Sequence, residues 1–151
     1  MFPGSNRKAD YTLTMSHEKR IRINHIRNLQ EKPKDALFLK APPPTRSGNQ
    51  AQDFWIWPGI QLIGAGSSVK KGLFLRVVKV GEKILLDNDQ ELTHEQTVKS
   101  LRLCYSLCFA SSQGLTLKGL VRLLTNSPHF TKKHLYVGAS RCTSYNLLEI
   151  I

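Results

Sequence analysis

The sequence has no run of about 20 consecutive apolar residues, the length that a membrane-spanning helix needs. Its best candidates, residues 73–78 and 103–110, are short and are interrupted by Arg76 and Ser106. The first ten residues also lack the apolar core of a signal peptide. Only three cysteines occur, an odd number without framework spacing, which favours free thiols in a reducing compartment. These absences predict a soluble intracellular protein of the cytoplasm or nucleus.

Acidic side chains are scarce, and one part of the chain has none. The 151 residues include 22 Lys and Arg against 11 Asp and Glu, a formal net charge of +11. Residues 96–148 contain no acidic residue but seven basic ones: Lys99, Arg102, Lys118, Arg122, Lys132, Lys133 and Arg141. With a sequence pI near 9.9, this clustering is typical of proteins that bind nucleic acid or nucleotide phosphate. The alternative is a merely basic, well-solvated surface.

Motifs that hold phosphate or metal are missing. The sequence contains no G-x-x-x-x-G-K-[ST] loop, and no glycine is followed directly by lysine. No G-x-G-x-x-G follows a predicted strand, and no acidic pair ends an apolar strand to hold magnesium. No residue pattern sets a general base beside a nucleophilic serine or cysteine. We therefore expect that the chain alone does not hydrolyse a nucleotide.

A zinc site is also disfavoured. Cys104, Cys108, His129 and His134 superficially resemble two pairs of zinc ligands, but the gap between the pairs is too long for a zinc finger. If residues 101–109 form one strand, the two cysteines lie about 13 Å apart, which one zinc with bonds of about 2.3 Å cannot bridge. We interpret both cysteines as core residues and expect no metal site.

The first third of the chain predicts a strand, a helix and a connector. Residues 1–10 are expected to be a flexible terminus, residues 11–15 a short strand, and Ser16 the cap of a helix over residues 17–30. The helix has the pattern of an amphipathic element. One arc carries Ile21, Ile23, Ile26 and Leu29, and the opposite side carries Arg20, Asn24 and Arg27. Pro33 ends it, and the Pro-rich residues 32–52 are expected to form neither ladder nor helix.

The remainder predicts a small antiparallel sheet set between elements of a parallel one. Short apolar runs separated by glycines indicate strands at 60–63, 73–80 and 83–86. Residues 101–109 predict one buried strand, and residues 115–124 are ambiguous between strand and helix. Residues 132–142 predict a helix and residues 147–151 a terminal strand. This order favours a mostly parallel α/β layer with an all-β insertion.

Four stretches, in this order, resemble the C-terminal motor domain of superfamily 1 DNA helicases of the RecD/Dda-like kind. Residues 16–24 (SHEKRIRIN) resemble the fourth helicase motif, with Arg20 and Asn24 one helical turn apart. Residues 58–63 (PGIQLI), with Lys71 and Gly72, resemble the start of the small Src-homology-3-like β-barrel inserted in that domain. Residues 112–117 (SQGLTL) resemble the fifth motif and residues 134–141 (HLYVGASR) the sixth.

The resemblance implies an α/β fold and a set of roles. Residues 11–52 and 94–151 would form a RecA-like motor domain, and residues 53–93 the inserted small barrel. Arg141 would be the arginine finger on the γ-phosphate of ATP, with Arg20 as a second γ-phosphate contact. The residues that couple the nucleotide to the strand would be Gln113, Gly114, Thr116, Tyr136 and Ser140. Single-stranded DNA, with RNA as an alternative, would be bound by Ser112, Lys118, Arg122, Lys132 and Lys133.

Two departures qualify the resemblance. Family members commonly carry a His-Lys pair shortly before the glutamine of the fifth motif, where this chain has Ala110 and Ser111. The N-terminal motor domain, which would hold most of the ATP and Mg²⁺ contacts, has no counterpart in this sequence. A piece of a helicase, a split gene product and a degenerate remnant are all consistent with this pattern.

Two other functions fit the same sequence. A non-enzymatic module would bind single-stranded nucleic acid by stacking bases on Phe54, Trp55, Trp57 and Phe74. The same aromatics also suit the core of a small barrel, which is the interpretation we favour. A third possibility is an interaction protein that regulates a helicase by occupying the cleft of its partner.

Overall fold

The structure is a computed structural model that describes residues 9–43, 51–109, 115 and 117–124 and the backbone of residues 148–150. In chain order its elements are β1 (Tyr11–Thr14), α1 (His17–Glu31), β2 (Leu37–Leu39), β3 (Phe54–Ile56), β4 (Gln61–Gly64), β5 (Phe74–Val80), β6 (Lys83–Leu86), β7 (Glu91–Thr93), α2 (His94–Ser100), β8 (Leu101–Leu103), β9 (Ser106–Cys108), β10 (Val121–Leu123) and β11 (Leu148–Ile150). Within the described ranges, no helix is long and apolar enough to cross a membrane.

The chain divides into two compact units, residues 1–24 with 105–151 and residues 25–104. The first unit contains a four-stranded sheet in the order β11-β10-β1-β9, and every pair in it is parallel. All four residues of β1 are buried, as expected for a strand inside a parallel sheet. Asp10 starts this strand by accepting a hydrogen bond from the backbone N–H of Leu120 at 2.7 Å.

The second unit is antiparallel. β2 pairs with β3, and five further strands form a sheet in the order β7-β6-β5-β4-β8. Its core includes Leu62, Ile84, Leu86 and Leu101, each with no exposed area. The short helix α2 begins with a capping box, in which Thr93 Oγ1 accepts from Gln96 N–H and the Gln96 side chain accepts from Thr93 N–H. The predicted mixed α/β fold is therefore confirmed, with parallel and antiparallel sheets in different units.

Several local predictions are confirmed. The helix predicted over 17–30 is α1, and the Ser16 hydroxyl caps it by accepting from the Lys19 N–H at 3.3 Å. The predicted strands at 11–15, 60–63, 73–80 and 83–86 correspond to β1, β4, β5 and β6, and the ambiguous segment 115–124 contains β10. Part of the predicted terminal strand is β11, whereas the helix predicted over 132–142 lies outside the described residues.

The amphipathic pattern of α1 is inverted in the structure. Asn24 and Asn28 are almost completely buried, whereas Ile21, Ile26 and Leu29 are 42–45% exposed. The asparagines are buried because each pairs with strand backbone: Asn28 donates to the Trp55 carbonyl at 2.9 Å and accepts from its N–H at 2.7 Å. Buried amides that are fully hydrogen-bonded are tolerated in a core.

Two other expectations are wrong. Residues 101–109 do not form one strand, because the ladder stops at Cys104 and Tyr105; β8 joins the antiparallel sheet and β9 joins the parallel one. The geometric argument that both cysteines share one strand therefore does not apply, although both are buried. The connector 32–52 contains strand β2, whose backbone pairs with β3 despite the prolines on either side. The division into domains at 52/53 and 93/94 stays a prediction.

Candidate functional site

The carboxyl edge of the parallel sheet carries the best-defined polar site in the first unit. β1 and β9 run in the same direction, so both strands end at this edge, where Phe109 N–H donates to the Thr14 carbonyl at 3.1 Å. α1 begins three residues after β1 and places Arg20 beside the edge. In open α/β sheets, ligands bind outside the carboxyl ends of the strands. Arg20 is therefore located where a phosphate ligand is expected.

The Arg20 side chain is half-buried and retains hydrogen-bonding capacity. Its Nε atom is buried and has no hydrogen-bond partner among the residues that the structure describes. Its positive charge also acts on the thiol of Cys108 at the end of β9, whose pKa it lowers. A buried guanidinium N–H without an acceptor is unfavourable. The role of Arg20 as a phosphate contact stays a prediction.

A histidine and a cysteine meet at the same edge, although no sequence pattern places a base near a thiol. Cys108 Sγ is 3.4 Å from His17 Nδ1. Burial raises the pKa of the Cys108 thiol, and the charge and hydrogen bond of Arg20 oppose that rise. Since the raised pKa keeps the sulfur protonated and its residue is only 4% exposed, the pair lacks the thiolate that a nucleophile needs.

Asn24 fixes the helix that carries Arg20. Its side-chain amide makes two hydrogen bonds to the backbone of Ser106 in β9. The Ser106 hydroxyl in turn donates to the Thr12 carbonyl in β1 at 3.0 Å. Because Arg20 precedes Asn24 by one helical turn, these bonds set the position of the guanidinium relative to the sheet.

The other two predicted site residues that the structure describes, Lys118 and Arg122, do not lie at the carboxyl edge of the sheet with Arg20. Lys118 is exposed and precedes β10, at the amino edge of the parallel sheet, whereas Arg20 lies at the carboxyl edge. Arg122 is in the middle of β10 and is half-buried. The structure therefore separates the predicted phosphate contact from these two predicted strand-binding residues.

Most of the predicted site residues lie outside the described residues, and their roles stay predictions. They are Ser112, Gln113, Gly114, Thr116, Lys132, Lys133, Tyr136, Ser140 and Arg141. Among the residues that are described, no group of three or more His, Cys, Asp or Glu is arranged to hold a metal ion.

A cavity in the second unit was not predicted from the sequence. It has a volume of about 340 Å³ and lies between β2 and α2, with Phe38, Lys40 and His94 in its lining. The signal for it was the alternation in Leu37–Leu39, where Leu39 is buried and Phe38 is exposed. The sequence did not predict this cavity, because the prolines around β2 disfavour a strand in residues 32–52.

Of the four aromatics considered for base stacking, Phe54 is unavailable because it is only 2% exposed. Trp55, Trp57 and Phe74 are each half-buried. The interpretation of these aromatics as core is therefore correct for Phe54 and incomplete for the others.

No protein-family model and no curated protein sequence matches the chain. Solved structures do match. Bacteroides Pif1 bound to single-stranded DNA is 14% identical with a TM-score of 0.65, over 97% of this chain and 41% of that one. Pif1 helicase from Candida albicans is 16% identical with a TM-score of 0.64, over 100% of this chain and 46% of that one. Bacteroides Pif1 in complex with ADP-AlF3 and single-stranded DNA is 15% identical with a TM-score of 0.63, over 99% and 42%.

These matches concern the fold, since every identity is below one fifth. They extend over nearly the whole of this chain, including both of its compact units. The chain spans less than half the length of the helicases that it matches. It therefore shares the fold of one part of the Pif1 superfamily 1 helicases.

Proposed function

We propose that the chain is the C-terminal motor part of a superfamily 1 DNA helicase of the RecD/Dda-like kind. In this proposal, residues 11–52 and 94–151 are the RecA-like domain and residues 53–93 the inserted small β-barrel. The observation that carries it is the position of Arg20, at the carboxyl edge of a parallel sheet whose fold is shared with Pif1 helicases. The half-buried guanidinium at that edge has the planar, charged donor geometry that suits a phosphate ligand.

Catalysis in this proposal needs a second motor domain, on another chain or elsewhere in a longer one. That domain holds most of the ATP and Mg²⁺ contacts. Arg141 acts as the arginine finger and Arg20 as a second γ-phosphate contact, stabilising the charge that builds up on the transferred phosphoryl group. Gln113, Gly114, Thr116, Tyr136 and Ser140 couple this cleft to the strand.

In this proposal, translocation along the strand follows from the loss of the γ-phosphate charge when ATP is hydrolysed. While the γ-phosphate is present, its attraction to the arginines favours closure of the two motor domains; after hydrolysis, the open arrangement is favoured. Single-stranded DNA is held by Ser112, Lys118, Arg122, Lys132 and Lys133. The Pif1 structures bound to single-stranded DNA and to ADP-AlF3 support both ligand classes.

The test is single-strand-stimulated ATPase of the chain alone and mixed with an N-terminal motor domain. We expect activity only in the mixture. Arg141→Ala and Arg20→Ala should each abolish turnover while leaving strand binding largely intact. The matched control is Arg22→Ala on the same helix, because Arg22 is exposed and pairs only weakly with Glu18 at 3.4 Å. Unchanged turnover in Arg141→Ala would disprove the finger.

A binding module without catalysis is the second candidate. The observation that favours it is the exposed pairing of Phe38 with Trp55, whose centroids are 5.1 Å apart, beside the ammonium of Lys32. Such a protein would bind strands in a salt-sensitive manner and show no ATPase in the mixture. A regulator that occupies the cleft of its partner would instead bind the motor domain without stimulating its ATPase.

A further inference from the structure

The cavity between β2 and α2 combines an aromatic wall with cationic and polar groups. Its volume of about 340 Å³ falls in the range of pockets that hold small ligands. Phe38 and Lys40 line one side, and His94 and Val98 line the other. All of these residues belong to the second compact unit, so the cavity does not depend on the Arg20 site.

Phe38 presents a supported aromatic surface to this cavity. Its side chain is 45% exposed, although Leu39 beside it is buried. Phe38 is the cross-strand partner of Trp55, and the two rings are tilted by 52° at 5.1 Å. Trp55 is held in place by the two backbone hydrogen bonds to Asn28. A ring that is fixed on one side and exposed on the other is suited to stack a planar ligand.

The charge around the cavity favours an anionic ligand. Lys40 is exposed in its lining, and the Lys32 ammonium lies 4.5 Å from the centroid of the Trp55 ring. Glu95 is the acidic residue in the lining, and its carboxylate pairs with Lys99 at 2.9 Å. That hydrogen bond lowers the pKa of Glu95 and leaves the pair without net charge. The Asp53 carboxylate accepts from the Ala41 N–H next to Lys40 and opposes this potential, but Lys40 and Lys32 together outweigh it by one charge.

His94 supplies a polar group with a defined tautomer. Its Nε2 lies 2.7 Å from the Gly81 carbonyl oxygen, which can only accept, so Nε2 carries the proton. In the neutral ring, Nδ1 is then an acceptor. A nucleobase offers both a planar face for Phe38 and exocyclic amino donors for such an acceptor, and its phosphate matches Lys40.

We infer that this cavity is a subsite for one nucleotide of a single-stranded nucleic acid, with the base on Phe38 and the phosphate near Lys40. The inference rests on the proposed function in taking a strand as the ligand. It adds a contact that uses none of the strand-binding residues named in that proposal. An apolar peptide is the competing occupant, and it would need neither an aromatic ring nor Lys40.

The test uses the full chain without ATP or a second motor domain. Binding of an oligonucleotide that contains 2-aminopurine is followed by its fluorescence, which falls when the base stacks. We expect Phe38→Ala and Phe38→Leu to weaken binding roughly 5- to 150-fold and to abolish the fluorescence change, because one stacked base contributes about 1–3 kcal/mol. Phe38→Tyr should restore both. Lys40→Ala should reduce the salt dependence by about one phosphate contact.

Val78→Ala is the matched control, because Val78 is 52% exposed and lies on β5 outside the cavity lining. Thermal unfolding of each variant separates lost binding from lost folding. If folded Phe38→Ala binds the oligonucleotide as tightly as the wild type, the subsite is disproved. If Phe38→Leu binds it as tightly, an apolar side chain is sufficient, no base stacks on the ring, and the subsite is also disproved. The ATPase of the wild-type chain mixed with an N-terminal motor domain is measured in a separate experiment. Failure of the subsite and failure of the proposed function can therefore be distinguished.

Discussion

The side chain of Asn24 pairs with the backbone of Ser106 as another strand would. Nδ2 donates to the Ser106 carbonyl at 3.0 Å, and Oδ1 accepts from the Ser106 N–H at 2.8 Å. Both residues are completely buried. A side chain of α1 thus satisfies the N–H and carbonyl groups of Ser106 on β9, at the edge of the parallel sheet.

Replacing Asn24 should therefore be strongly destabilising. Asn24→Ala leaves two buried backbone groups of Ser106 without partners, and we expect the free energy of unfolding to fall by about 2–4 kcal/mol. Urea denaturation measures this. His25→Ala, at an exposed position on the same helix, should change it by less than about 0.5 kcal/mol. Equal stability of the two variants would show that the amide pair contributes little.

Gly119 should not tolerate a side chain. Its φ is +116°, and a Cβ placed there would overlap the carboxylate of Asp10, which anchors Leu120. We expect Gly119→Ala to lower the free energy of unfolding by more than about 1 kcal/mol. Gly59→Ala has a similar φ of +99° but open space, so it isolates the backbone strain. A smaller effect at 119 than at 59 would contradict the predicted overlap.

Cys104 should make the protein sensitive to alkaline pH. Burial raises the pKa of this thiol from 9.0 to about 12, an effect that Arg76 opposes. Because the folded pKa is the higher one, the contribution to stability is full below pH 9.0 and is lost as the pH rises toward about 12. Each pH unit in that window costs about 1.4 kcal/mol.

Comparison with Cys104→Ala isolates this thiol from other groups that titrate. The variant should be less stable at about pH 8, since it loses packing, but the difference from wild type should narrow by about 1 kcal/mol by about pH 10. Urea denaturation at the two pH values measures the difference. If the difference in the free energy of unfolding is the same at both pH values, the Cys104 thiol has the same pKa in the folded and unfolded states.

The exposed apolar face of α1, formed by Ile21, Ile26 and Leu29, should act in association rather than in folding. We expect Ile21→Ser with Leu29→Ser to leave stability within about 0.5 kcal/mol per site. The same change should weaken binding to an N-terminal motor domain by about tenfold or more. Burying one apolar side chain at an interface contributes about 1.5–3 kcal/mol to the binding free energy. Calorimetric titration measures this, with Val78→Ser as the exposed control. Unchanged affinity would place the second motor domain elsewhere.

Sequence reasoning located α1 because its start and end are determined locally, by Ser16 and by Pro33. It failed on the buried face of the helix because the partners of Asn24 and Asn28 are not local. Ser106 is 82 positions from Asn24, and no periodicity reports a pairing at that distance. The short strand β2 was missed for a related reason, since its partner β3 lies beyond a Pro-rich segment.

For the candidate site, the resemblance supplied Arg20, whose role as a phosphate contact stays a prediction. The sequence did not indicate that His17 and Cys108 meet there, because they are 91 positions apart. The cavity beside Phe38 depends on a strand pair and on α2 together, so composition and spacing alone did not reveal it.

The position of β1 in its sheet has a consequence for biosynthesis. β1 leaves the ribosome before its two neighbours, β9 and β10, which are made about 94 positions later or more. The second unit, residues 25–104, is continuous in sequence and is translated completely before β9. During that interval β1 has two unpaired edges and four apolar or hydroxyl side chains that will later be buried. Nascent-chain aggregation and chaperone binding should therefore begin at residues 11–14.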